Sequence, residues 1–264
     1  MIRINRFFAL LVGGLICSKI PALAVDHNNI DAGRPLSFDD AEAVAYHELS
    51  FETGGTLVIP HKKSAGAEGA MEALYGFAPN THASVDWDPT GGGRSGSEEK
   101  RFDVGDVGIG VLHNFNRQIK NIPAFAVRGD VFLPTGRARQ GTDGRVRAIM
   151  SKTLTQYDRV HLNLESTFRS SPEAGERDVL PAAILGYSKP IGYPRVFTRT
   201  GMAEIGVRQA DRIGEGPIMS VGIGLRQQLT VRSVMDVGVQ SDVIGGRSAA
   251  RDDVRIIAGY SIGF

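Results

Sequence analysis

The sequence predicts an all-β protein, an antiparallel up-and-down transmembrane β-barrel of about twelve strands with both termini periplasmic. Three observations predict it. From residue 43 onward the chain runs as short segments of alternating apolar and polar side chains separated by turn residues. Beyond the N-terminus no segment approaches the ~20 apolar residues of a spanning helix, so only a closed sheet could cross a bilayer. The chain ends on Phe264, which shares one strand face with Tyr260 and Ile262. A terminal aromatic on such a face is the assembly signal expected for outer-membrane barrels.

The N-terminus carries Arg3 and Arg6, the apolar run Phe7 to Cys17, then Ala22-Leu23-Ala24. Charged, apolar and small-residue regions in that order form a secretory signal. Cys17 would suit a lipoprotein signal, but Ile16 occupies a position where such signals want a small residue. Cleavage after Ala24 divides the chain into a signal peptide (1–24), a periplasmic lead-in segment (25–42) and the barrel (43–264). The mature part then has no cysteine, which removes disulfides and thiolate metal sites. Residues 25–42, with Pro35 and a small acidic cluster, lack a strand pattern. They fit a periplasmic lead-in or a segment tucked into the lumen.

The strands are expected near 43–53, 70–77, 81–88, 106–115, 123–133, 145–155, 158–168, 181–189, 195–208, 217–227, 230–240 and 254–264. The clearest is Arg159 to Phe168, with Val160, Leu162, Leu164 and Phe168 on one face and Arg159, His161, Asn163, Glu165 and Thr167 on the other. Alternation alone also fits a soluble sandwich. The connections favour a barrel, because long polar stretches such as Gly54–Gly69, Pro89–Gly105 and Ser241–Asp253 alternate with short ones such as Ala78-Pro79-Asn80. Phe77, Trp87, Phe115, Phe132 and Phe168 fall near strand ends, where interfacial girdles lie. Composition agrees. Glycine numbers 33 of 264 residues, roughly twice the average share, as tight connections would require. The formal charge of +1 gives no field to attract nucleic acid.

Several stretches carry a family likeness: Asp103-Val-Gly-Asp-Val-Gly-Ile-Gly110, then Pro123-Ala-Phe-Ala-Val-Arg-Gly-Asp-Val-Phe-Leu-Pro-Thr-Gly136, then Ser151-Lys152-Thr153 leading into Val160-His161-Leu162-Asn163-Leu164. With Gly33-Arg34-Pro35-Leu36 and Asp39-Asp40-Ala41-Glu42, this order resembles the outer-membrane transporters grouped as the MetA-pathway of phenol degradation family. The resemblance implies a barrel that passes small, sometimes aromatic, molecules. It carries no catalytic motif.

If the apolar faces meet lipid, the lumen is lined by Asp86, Asp88, Asn114, Arg128, Asp130, Arg145, Arg147, His161, Glu165, Arg232, Asp236 and Arg255, since charges facing hydrocarbon cost several kcal/mol. Opposed Arg and acidic side chains could select solutes by size and polarity, or form a salt-bridged plug that passes nothing. Twelve strands leave room for either.

An enzyme is the alternative of a different class. His82 and Ser84 share a face, with Asp86 the nearest carboxylate, as a base and nucleophile would require. They fall on the luminal face, away from lipid substrate. His161 and Glu165 share a face without a third ligand, so no metal is expected. Thr90-Gly91-Gly92-Gly93-Arg94 and Leu133-Pro134-Thr135-Gly136 lack the strand–loop–helix setting of a phosphate loop, and no cofactor is expected.

The expected function is a passive channel in the cell outer membrane for small solutes, aromatic or hydrophobic ones included. The alternatives are a lipid hydrolase or acyltransferase and a closed structural barrel acting through its outer loops. Expected partners are outer-membrane lipid, periplasmic chaperones, the barrel-assembly machinery and a small-molecule solute.

Overall fold

The computed structural model describes residues 34–61, 64–92, 102–136, 140–193, 195–196, 198–245 and 251–264. The expected signal peptide lies outside the described residues. The wall opens with β1 (Leu49–Pro60), β2 (Gly66–Ala78) and β3 (Thr81–Trp87), followed by two short pieces, β4 (Thr90–Gly92) and β5 (Phe102–Asp103). It continues with β6 (Val107–Asn116), β7 (Ala124–Leu133), β8 (Asp143–Thr153), β9 (Arg159–Phe168) and β10 (Val179–Pro190). β11 (Arg199–Arg208), β12 (Ile218–Thr230), β13 (Ser233–Ile244) and β14 (Asp252–Gly263) complete it.

Neighbouring strands pair antiparallel around the sheet, and β14 returns to β1 in a register running from Ser50 opposite Gly263 to Pro60 opposite Asp252. That seam closes the barrel and leaves no edge. β4 extends β3 past the Asp88–Pro89 break and pairs with β2 at Gly66–Glu68, while β5 extends β6. The wall therefore has the twelve strands the alternation predicts. An even count brings both of its ends to one rim, where Leu49 and Phe264 exchange backbone hydrogen bonds of 3.3 and 2.8 Å.

The side chains alternate accordingly. Phe51, Leu57, Ile109, Phe125, Leu164, Leu185, Ile223, Val237 and Tyr260 stand exposed on the outside. Glu52, His82, Asn114, Arg128, Asn163, Glu204, Arg226 and Asp236 are buried on the inside. A soluble fold would have the reverse. An apolar belt around a polar interior is what hydrocarbon on one side and water on the other require. Tyr260 and Phe264 are exposed on the outer face, and the half-buried Ile262 shares it.

Two expectations fail. The first strand, expected at 43–53, runs over Leu49–Pro60. Gly54-Gly55 looks like the start of a loop, but it sits mid-strand opposite Ala258 and Gly259. The long loop 54–69 thus shrinks to residues 61–65, and the connection 191–198 on the opposite rim is longer than that. Long and short connections alternate less sharply than expected. Residues before β1 make a turn instead of a strand, with His47 at φ 67°.

Candidate functional site

Residues 34–46 lie inside the barrel. An irregular segment within a wall must have its backbone polar groups satisfied, and here side chains from six strands reach them, while those of two more bind its side chains. The N–H groups of Ser37 and Phe38 donate to Glu204 Oε2 at 2.8 and 3.3 Å. Asn163 holds Asp39 from both sides: its Oδ1 accepts from the Asp39 N–H at 2.8 Å and its Nδ2 donates to the Asp39 carbonyl at 2.9 Å. Ser151 accepts from the Ala41 N–H at 2.9 Å, Asn114 donates to the Ala41 carbonyl, and His82 Nδ1 accepts from the Val44 N–H at 3.1 Å. Arg34 is ion-paired with Glu52, and Arg226 donates to the Arg34 carbonyl at 3.5 Å. Gln240 donates to Ser37 Oγ at 3.0 Å.

Apolar contacts add to this. Leu36 and Phe38 are fully buried against Ile184 and Met202, and Ala41 packs with Leu112, Ala124, Ala126 and Ile149. Phe38 also stacks on His161, with ring centroids 5.0 Å apart. Burying side chains of the size of Leu and Phe contributes about 1.5–3 kcal/mol each.

The wall provides space through glycines. A Cβ at Gly186 would run into the Phe38 ring, one at Gly238 into Pro35, and one at Gly76 into the Ala45 carbonyl. At Gly222 and Gly224 it would come within 2.9 Å of Leu36 and 2.8 Å of Pro35. Glycine inside a strand signals close approach of another backbone, and these glycines form the track on which the segment lies. Gly54 belongs to it: a Cβ there would stand 2.8 Å from Arg34 Cδ.

The segment borders two cavities. One, of about 800 Å³, is lined by Glu42 and Ala43 from the segment and by Asn80, Arg117, Tyr157 and Tyr193 from the rim that holds the chain ends. The other, of about 340 Å³, is lined by Arg34 and Ser37 and by charged residues of β2, β3, β7, β8 and β14.

Most of the expected lumen residues do face inward. Arg128 makes ion pairs with Glu72 at 2.9 Å and Asp130 at 2.8 Å, and Arg145 reaches Asp130 at 3.0 Å. Arg147 pairs with Glu165 at 2.7 Å and Arg226 with Asp236 at 2.6 Å. Asp86, Asp88, Arg145 and Arg255 line the smaller cavity. Asn114 binds the segment, and His161 lies between Ser151 and Ser188 at 2.9 and 3.1 Å. Arg232 differs: it sits exposed in the two-residue turn between β12 and β13, because β13 begins only at Ser233. Sequence reasoning missed Glu52, Glu204 and Arg226, and it placed Asn163 on a polar strand face without naming it as a lumen residue.

Asp88 occupies the break between β3 and β4, outside the strands. Its side chain reaches open space, yet protein packed around it, and next the nearby carboxylates of Asp86, Glu72 and Glu68, push its pKa up to about 7. His82 and Ser84 are both buried in the luminal wall, with His82 Nδ1 accepting from Val44 and Ser84 Oγ accepting from Arg128 at 3.3 Å. Among the described residues no three His, Cys, Asp or Glu side chains converge as a metal site, and no helix is long and apolar enough to cross a membrane.

No family model matches the chain, and no curated protein does. Solved structures do. An outer-membrane channel from Pseudomonas putida F1 superposes with a TM-score of 0.68 at 13% identity, over 89% of this chain and 100% of its own. The NanC porin gives 0.57 at 11% identity, over 81% and 98%. The KdgM porin gives 0.55 at 10%, over 81% and 99%. The chain shares the closed β-barrel fold of these outer-membrane proteins. At such identities the likeness shows the fold, which is that of channels and porins. The barrel's apolar belt and closed sheet agree with that environment.

Proposed function

We propose that this barrel is a passive channel for small solutes, constricted by residues 34–46. The observation that carries the reading is a polar lumen with cavities bordering a segment held by side chains, within a wall wide enough for a pore. The sequence motifs around Asp103–Gly110 and Pro123–Gly136 favour affiliation with the MetA-pathway of phenol degradation family, whose members are linked to small and aromatic molecules. The even strand count puts both wall ends at one rim, which we assign to the periplasm, with the signal peptide removed after Ala24 and the outward face of Tyr260, Ile262 and Phe264 read by the assembly machinery. The named functions of the neighbours favour transport over lipid chemistry. KdgM is also known in complex with disordered oligogalacturonate, an acidic sugar chain.

Planar-bilayer recording of the refolded mature protein tests the reading. Discrete current steps are expected, and deletion of 34–46 should raise their size several-fold. If neither protein passes current, the channel reading is wrong.

A further inference from the structure

The smaller cavity carries charge of both signs in an unusual state of pairing. Buried polar atoms almost always find a partner. Three that do not, Arg34 Nη1, Asp86 Oδ1 and Arg255 Nε, belong to residues lining this one cavity. Arg34 is only 4% exposed. It spends its other terminal nitrogen on Glu52.

The arrangement is polarised. Glu68 and Glu72 of β2, Asp86 of β3 and Asp88 just beyond β3 line the cavity together. Glu72 is tied to Arg128, and Asp130 draws both Arg128 and Arg145, so β7 and β8 neutralise part of the surrounding charge. Asp86 and Asp88 have no ion pair among the described residues. Three strands from β3 around the wall, Arg255 reaches its carboxylates only loosely, Asp242 at 3.7 Å and Asp252 at 3.9 Å. The lining thus offers an acidic patch beside two guanidinium groups, of which Arg255, its side chain 21% exposed and only loosely paired, keeps donors at the cavity surface. These carboxylates do not converge closely enough to ligate a metal, so the group that suits them is a hydrogen-bonding organic cation. A guanidinium with spare donors suits a carboxylate.

We propose that this cavity is a binding site for small zwitterions. The ammonium group lies against Asp86 and Asp88, and the carboxylate against Arg255 and Arg34. A volume of about 340 Å³ sits at the small end of ligand pockets and admits a molecule with a short carbon chain. The inference deepens the channel reading by naming a solute class, and it rests on that reading only for transport.

The test compares three probes of one chain length, 5-aminopentanoate, pentylamine and pentanoate, binding to the refolded mature protein in detergent. Saturation-transfer NMR reads binding. The zwitterion is expected to bind at least about tenfold more tightly than either single-charge probe. Asp86→Asn should reduce it to the level of pentanoate, and Arg255→Gln to that of pentylamine. Heat-modifiable gel migration checks folding. If Asp86→Asn does not fold, Asp88→Asn, outside the strands, replaces it. Equal affinities for zwitterion and amine, no binding of any probe, or variants that bind like the parent would each overturn the proposal. A protein that conducts without binding 5-aminopentanoate sinks this inference alone. One that binds without conducting sinks the channel reading instead.

Discussion

The outer belt and the luminal band beneath residues 34–46 are built on the same strands, yet they constrain sequence in opposite ways. On the outside, Leu164, Ile223 and Val237 need only be apolar, because lipid is fluid and accepts any hydrocarbon shape. On the inside each position answers to a particular atom of the segment. Glu204 accepts from two N–H groups, Asn163 clamps one residue from both sides, and Gly186 leaves room for a ring. One surface is specified by solvent and the other by fit.

Substitutions should separate the two. The largest effect is expected from Phe38→Ala, which empties a fully buried site and should cost about 3–5 kcal/mol, read as a lower urea midpoint and as lost hydrogen-exchange protection over 34–46. If stability and protection are unchanged, the segment is not seated as described. Glu204→Ala leaves the Ser37 and Phe38 N–H groups without their acceptor. It should cost about 1–3 kcal/mol and raise single-channel conductance, whereas a Glu204→Ala barrel with parental currents would argue against constriction. On the belt, Ile223→Val should stay within about 0.5 kcal/mol in the same urea assay. A loss above 2 kcal/mol there would erase the contrast between the surfaces.

The smallest effect concerns charge. Because the Asp88 carboxyl is raised to about 7, it is charged above that pH and neutral below it. Cation preference, measured by reversal potential, should therefore fall as pH drops from about 8 to about 6. The groups around it are Asp86, Glu72, Glu68 and Arg145, and Asp88→Asn should flatten the dependence. A slope that persists in the variant would assign the titration elsewhere.

The same contrast explains what was legible beforehand. Alternation is a local signal, so Arg159–Phe168 announces both its strand and its faces, and the count of twelve follows from many such stretches. The segment's contacts are not local. Asp39 meets Asn163 and Ser37 meets Glu204 across more than a hundred residues, and no periodicity records that. The available clue was glycine within strands. Gly186, Gly222, Gly224 and Gly238 lie inside expected strands and were not read as contact positions, although interior glycines mark close backbone approach. Reading Gly54-Gly55 as a turn misplaced the first strand for the same reason. Pairing among the arginines and carboxylates depended on neighbours in different strands. Arg232 was misassigned because a two-residue turn continued the apparent alternation.

The seam between β1 and β14 joins the earliest strand of the wall to the last, so it closes the longest loop in the sheet and bears the greatest ordering entropy. Side chains that hold 34–46 come from β1 on one side of that seam and from β13, β12 and β11 on the other. In the finished barrel the segment therefore ties the two margins of the seam to one another. Residues 34–46 thus act as an internal brace across the place where the sheet closes on itself.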